Sequence, residues 1–341
     1  MTDTLRTPIT RSLDLAGASE LAVLERSGMI ESRHLGAAVA LAADGTILRE
    51  IGDGSALIYP RSSLKPIQAI AVMRSGVELD SEQAVLATSS HAGTAEHVRV
   101  VGEMLAREGL SEADLRCPAD WPLDATAAAG ARNTGIGKRR ITMNCSGKHA
   151  AFLLSCVKNG WSTADYLDPE HPLQRLIRHT VEEFTGEPIR HVGTDGCGAP
   201  LFAVSLRGLA TAIGHVARTA ADGTDPFAAR LVGAILAHPW AIDGPGRVNT
   251  VVIEQLGLLC KAGAEGVTVM AGPDGTAVAV KILDGSQRAA TLVALSLLAD
   301  CGAIDSGEAR RVSEATTEAV LGGGVRVGRL RLSETLAAIG D

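Results

Sequence analysis

Arg61-Ser62-Ser63-Leu64-Lys65-Pro66 sets a serine hydroxyl three positions ahead of a lysine amine. If Ser62 opens a helix, Lys65 shares its face one turn on. A lysine becomes a general base for such a hydroxyl when burial or a neighbouring cation lowers its pKa. The helix N-terminus stabilises negative charge developing there. Pro66 is tolerated only near a helix start, which places Ser62 there. The same residues also read as a capping serine followed by a solvated lysine, and S-x-x-K alone is a common string.

Three further clusters carry chemistry. Ser89-Ser90-His91-Ala92-Gly93 puts a hydroxyl before an imidazole in a structured loop, although alone it reads as a turn ahead of Glu96. Asn144-Cys145-Ser146-Gly147-Lys148-His149 and Asp195-Gly196-Cys197-Gly198-Ala199-Pro200 each place a thiol in a short glycine-containing segment. Thiols, with Asp195 or His149 beside them, suit a soft metal such as zinc. Lys148 would have to lose its proton to join them. The spacing fits no standard zinc pattern, and from spacing alone these are structural cysteines in a core. Gly196 and Gly198 allow unusual backbone angles or close approach to a ligand. Finally, Lys261-Ala262-Gly263 ahead of a strand resembles the K-T-G element of serine β-lactamases and penicillin-binding proteins, which likewise follows S-x-x-K. Their central S-D-N element has no recognisable counterpart, and the alternative is a surface-loop lysine.

The elements that must position these residues follow from pattern. His34–Ile51 reads as a hairpin about Asp44-Gly45. Ser62–Ser75 predicts a helix with an apolar face at Leu64, Ile67, Ile70, Ala71 and Met73. Glu82–Thr88, Glu96–Glu108, a helix from Lys148 past Cys156, His171–Thr185 with Pro172 in its first turn, Leu201–Ala221 and Pro226–Ala237 continue a helical middle. Cys117–Thr134, with Pro118 and Pro122, is expected to be irregular surface. Val267–Met270 and Ala277–Ile282 read as strands about Pro273-Asp274-Gly275, followed by a buried helix Ala289–Asp300. The tail from Leu321 resembles a strand and short helix. Residues 1–30 are expected to be a loose lead-in to one domain over 31–341, with a helical subregion at about 62–240. The fold class is α/β (α+β): one sheet made by both chain ends, with helices inserted between.

Composition excludes several functions. The chain has 341 residues, 46% hydrophobic and 21% charged, with a net charge of −7. A mildly acidic chain with 3% aromatics offers neither a basic footprint nor a stacking platform for nucleic acid. Met1–Asp14 lacks the apolar run of a signal peptide, and no window reaches a membrane span. Six widely spaced cysteines suggest free thiols in a reducing compartment. A soluble cytoplasmic protein is the expectation, with no nucleic-acid or membrane partner.

In combination these segments resemble the rhizobial-type (class 3) L-asparaginases, allied in fold to serine β-lactamases, penicillin-binding proteins and glutaminases. The marks run from about Glu31 to Ala290: RSSLKPIQA at 61–69, SSHAGTAEH at 89–97, NCSGKHA at 144–150, HPLQ at 171–174, TDGCGAP at 194–200 and CKAGAEGV at 260–267. The resemblance implies a β-lactamase/glutaminase-like fold and hydrolysis of L-asparagine to L-aspartate and ammonia. It implies two serine–lysine pairs, Ser62 with Lys65 and Ser90 with Lys261, Ser62 being the nucleophile. It implies a zinc ion (Zn2+) on Cys145, Lys148 and Cys197, orienting substrate more than activating water, and a homodimer. Arg61, His91, Asp195 and Gly196 are candidate substrate contacts. Arg247 is a further one, because a guanidinium binds an α-carboxylate bidentately. Cys117-Pro118-Ala119-Asp120-Trp121-Pro122 replaces a Cys-Gly-x-His-x-Pro stretch, and Asn249 stands where the family pattern has an acid near Arg247; both put substrate identity in question.

Two other accounts stay open. One is a different amide substrate, glutamine above all, since one methylene is discriminated by only about 1–3 kcal/mol. A β-lactam is a poorer alternative without an export signal. The other is a non-catalytic zinc-binding scaffold of the same fold, which would have no use for both serines and both lysines.

Overall fold

The computed structural model describes residues 12–337. Among them, eight antiparallel strands form the main sheet: β1 (Ser19–Arg26), β2 (Met29–Leu41), β3 (Ile47–Ile51), β4 (Leu259–Gly263), β5 (Val267–Ala271), β6 (Ala277–Ile282), β7 (Val320–Gly322) and β8 (Val325–Leu332). The spatial order is β7-β8-β1-β2-β6-β5-β4, with β3 also on β2. The long β2 takes β1 along Met29–Gly36 and β3 along Ala38–Leu41, while β6 pairs with Gly36–Leu41. Both chain ends therefore meet in one sheet, as the sequence predicts.

The hairpin turn falls at Asp44-Gly45, where Gly45 takes φ +86° and the Asp44 carboxylate accepts the Thr46 N–H. That left-handed angle is the reason for glycine. Ala37, Ala38, Val39 and Ala40 are all fully buried. Successive strand residues face opposite sides, so the sheet is covered on both. Helices Leu206–Asp222 and Ala290–Asp300 pack against it.

The helical middle holds Lys65–Arg74, buried at every position from Lys65 to Met73. A helix apolar all round belongs in the interior, and it packs among Ser81–Thr88, Ser146–Asn159, Pro172–Thr185 and Pro226–Ala237.

Several expectations are corrected. The 1–30 stretch is not loose from Ser19 onward, because β1 lies inside the sheet between β8 and β2; residues 1–11 lie outside the described part. Cys117–Thr134 contains a helix, Ala125–Asn133, capped by the Asp124 carboxylate on the Ala127 N–H. Leu201–Ala221 is helical only from Leu206, because Ser205 caps the Gly208 N–H. Pro200–Phe202 and Val204–Ser205 before it are short strands. Lys261 lies within β4 rather than in a loop ahead of a strand.

Candidate active site

Ser62 sits in a 3-10 turn, Arg61–Leu64, directly before the buried helix. Pro66 occupies that helix's first turn, where a missing N–H costs nothing. Arg61 holds a left-handed backbone, φ +53°, a strained angle for a side chain of its size. Edge strand β4 crosses this turn at Gly263. A Cβ there would stand 2.5 Å from the Pro60 carbonyl and 3.3 Å from the Ser62 nitrogen, so only glycine permits the approach.

Two buried lysines converge on a second serine. Lys65 Nζ donates to the Ser89 carbonyl at 2.5 Å, to Ser90 Oγ at 3.1 Å and to Cys145 Sγ at 3.3 Å. Lys261 Nζ lies 3.1 Å from the same Ser90 Oγ and 2.9 Å from the Ala262 carbonyl. Burial lowers the Lys261 pKa to about 7, helped by the nearby Lys65 charge and opposed by Asp243. An amine so placed is free of its proton in a large fraction of molecules at neutral pH. Ser90 and Lys261 are thus brought together. Lys65, however, hydrogen-bonds Ser90 and not Ser62, whose half-buried hydroxyl has no protein partner among the described residues.

The Ser90 loop is held by backbone and by His91. Ser90 N–H donates to the Ile242 carbonyl, His91 N–H to Asn144 and Ala92 N–H to Asp243. His91 Nδ1 accepts the Gly93 N–H at 3.1 Å, leaving Nε2 to donate to Ser146 Oγ at 2.9 Å. Burial drives its pKa well below the usual value, with His97 and Lys65 adding to the effect. A neutral, fully buried ring with both nitrogens spent supports the loop from inside, which corrects its placement among substrate contacts.

The thiols gather beside Lys65. Cys145 begins helix Ser146–Asn159, and Lys148 on its first turn donates to Cys197 Sγ at 3.2 Å. A hydrogen bond from the Cys145 thiol and the Lys148 charge lower the Cys197 pKa. The same bond raises that of Cys145, with burial adding to it. Burial pulls Lys148 down, but the Cys197 and Cys145 sulfurs outweigh it and hold the ammonium protonated. His149 is buried nearby with Nδ1 2.8 Å from Tyr166 Oη, while its Nε2 has no hydrogen-bond partner. Among the described residues no three His, Cys, Asp or Glu side chains group as a metal cage, so a metal here must count the Lys148 amine among its donors. Two sulfurs and one nitrogen suit a soft ion only once that ion displaces the Lys148 proton, and the unspent His149 nitrogen beside Cys197 fits a site built for more than hydrogen bonds.

Arg61 Nε donates to Asp195 Oδ1 at 2.8 Å, and Asp195 Oδ2 lies 3.4 Å from Cys197 Sγ. The adjacent Gly196 is exposed. Arg61, Asp195 and Gly196 therefore border the sulfur cluster. Arg247 pairs with Asp243 at 2.6 Å through Nε, and its terminal nitrogens make no hydrogen bond within the described residues. Asp124 N–H donates to the Ala92 carbonyl, and a Cβ on Gly93 would stand 3.1 Å from Pro122 Cα, so the divergent Cys117–Pro122 stretch packs on the Ser90 loop. Sequence reasoning missed Asp243, which links this loop to Arg247; its only signal was the four-residue spacing between the two.

The arrangement sets one serine hydroxyl between two buried lysine amines at the sheet edge where Gly263 passes. The family model for L-asparaginase II matches residues 22–332, and the chain belongs to that family of amidohydrolases. Comparison with curated proteins gives no match. Among solved structures, the chain is similar to a β-lactamase from Mycobacterium bovis at 13% identity and a TM-score of 0.37, covering 79% of this chain and 95% of the other. At that TM-score the likeness carries no argument about the site.

Proposed function

We propose that the chain hydrolyses L-asparagine through Ser62, with Lys65, Ser90 and Lys261 moving the protons. The observation that carries this reading is Ser90 Oγ lying 3.1 Å from each lysine amine, which makes a continuous path for a proton. Ser62 is half-buried and its hydroxyl has no hydrogen-bond partner among the described residues. It would engage the lysine pair only once substrate is bound, as loose apo geometry allows. Its oxygen attacks the side-chain amide carbon and its proton passes through Ser90 to Lys261, the amine of the pair that burial leaves neutral near pH 7. The Ser62 N–H, at the start of a helical turn, has no acceptor within that turn and is available to the developing oxyanion. Collapse breaks the C–N bond, and ammonia departs with a proton delivered through Ser90 from the lysine pair. Water then cleaves the ester, releasing aspartate and restoring Ser62.

Asp195 supplies negative charge for the substrate ammonium, with Arg61 holding it in place. The free Arg247 nitrogens suit the α-carboxylate. Cys145, Lys148 and Cys197 would hold zinc, which when bound supplies positive charge for orienting substrate. Free thiols at all six cysteines agree with a reducing cytoplasm, and among the described residues no helix is long and apolar enough to cross a membrane. A homodimer remains our expectation from family resemblance.

A second assignment, Ser90 as nucleophile, is favoured by one observation: Lys65 bonds Ser90 rather than Ser62. Acid quenching during turnover, followed by peptide mass mapping, separates the two. An acyl adduct on the Ser62 peptide supports the first. An adduct on the Ser90 peptide transfers the role, and turnover by a Ser62→Ala/Ser90→Ala double variant contradicts both.

A further inference from the structure

Asn249 is buried in the first turn of helix Val248–Leu256, and its amide makes three hydrogen bonds. Oδ1 accepts the Ala262 N–H at 2.8 Å and the Cys260 thiol at 3.6 Å. Nδ2 donates to Asp243 Oδ2 at 3.1 Å. Two donors on one side and a carboxylate on the other fix which way the amide points.

The partners are what matter. Cys260 and Ala262 flank Lys261 on β4. Asp243 and its neighbour Ile242 receive the backbone N–H groups of Ala92 and Ser90, at 2.7 and 3.0 Å. Asn249 thus ties the strand carrying Lys261 to the segment on which Ser90 rests. We propose that Asn249 is a positioning residue that sets Lys261 Nζ against Ser90 Oγ without itself touching substrate. The proposal rests on the serine–lysine reading above.

Its amide chemistry matters as much as its shape. An aspartate at 249 could still accept from Ala262 but could not donate to Asp243, and would face it as a like charge. An alanine would leave the Ala262 N–H and one Asp243 lone pair without this partner. The groups that face Lys261 are Lys65 from the buried helix, Cys145 at the start of Ser146–Asn159, Cys260 on its own strand, Asp243, and the Ser90 hydroxyl. Lys65 disfavours its charge, whereas Asp243 and the two sulfurs favour it. Another carboxylate joins the second group and makes the amine harder to deprotonate.

The test compares Asn249→Asp, Asn249→Ala and Lys261→Ala, each checked for folding by circular dichroism and assayed for ammonia release across pH. The expected result for Asn249→Asp is an acidic kcat/KM midpoint raised by about 1–3 units, as a new neighbouring charge produces. For Asn249→Ala, kcat falls roughly 100-fold with KM little changed, the usual cost of a misplaced catalytic group. A folded Asn249→Asp with the wild-type midpoint overturns the proposal. If that variant does not fold, a folded Asn249→Ala with wild-type kcat overturns it. Failure of both to fold also does, by making the residue a structural one. Wild-type activity in Lys261→Ala removes the underlying serine–lysine reading instead, so the two failures are distinguishable.

Discussion

Lys261 meets Ser90 inside the protein, its amine 3.1 Å from the hydroxyl oxygen. No water-filled surface stands behind the amine, which is fully buried. Burial and the Lys65 charge leave it with a pKa of about 7. A group in that range can take and return a proton during each turnover.

Activity should therefore rise with pH through a midpoint near 7, as the Lys261 amine loses its proton. Lys261→Arg keeps the charge but cannot lose it, so it should be inactive across the range. The same amine makes stability depend on pH. Its folded pKa lies below the ordinary 10.5, so the unfolded chain binds more protons between about 7 and 10.5, and stability rises with pH across that window. Ammonia release and melting temperature, each measured against pH, check both signs.

Gly263→Ala should damage the site from a distance of one strand. The added methyl meets the Pro60 carbonyl at 2.5 Å, and neither backbone can yield cheaply. Forcing β4 off the Ser62 turn should cost about 1–3 kcal/mol of stability and lower kcat more than it raises KM. Denaturant melts and steady-state kinetics on one preparation test this.

The fold was legible where local chemistry announces itself. Asp44-Gly45 and Asp274-Gly275 marked their turns, and the S-x-x-K-P string marked the start of the buried helix. Other elements were hidden by competing local signals. Pro118 and Pro122 masked the alanine-rich helix that Asp124 caps. Lys261, a charge among apolar residues, made β4 look like a loop, although its burial is explained by Ser90. β1 is joined to β2 by a tight Ser27-Gly28 turn that the pattern did not reveal, and its other edge is set by β8, about three hundred residues on. Within the site, both serines and both lysines were readable by type. That Lys65 serves Ser90 was not, because the contact is made by packing of separate helices and loops.

Zinc content offers a test that does not depend on turnover. The chain purified with zinc should hold about one ion, and Cys197→Ser should lose most of it, because it removes one of only two thiolates in the set. Cys156→Ser is the control: that thiol is buried, pushed up to about 12 by desolvation, and lies outside the cluster. Equal zinc content in both variants would remove Cys197 from the ligand set. After chelation the fold should persist and KM for asparagine should rise, whereas unfolding would make the ion structural.

The most direct test of the whole account is ammonia release from L-asparagine and L-glutamine by the wild-type chain and by Ser62→Ala. The account predicts turnover of asparagine, weaker turnover of glutamine, and a loss in Ser62→Ala of roughly 10,000-fold or more, as removal of a nucleophile produces. Undiminished ammonia release in folded Ser62→Ala would contradict it.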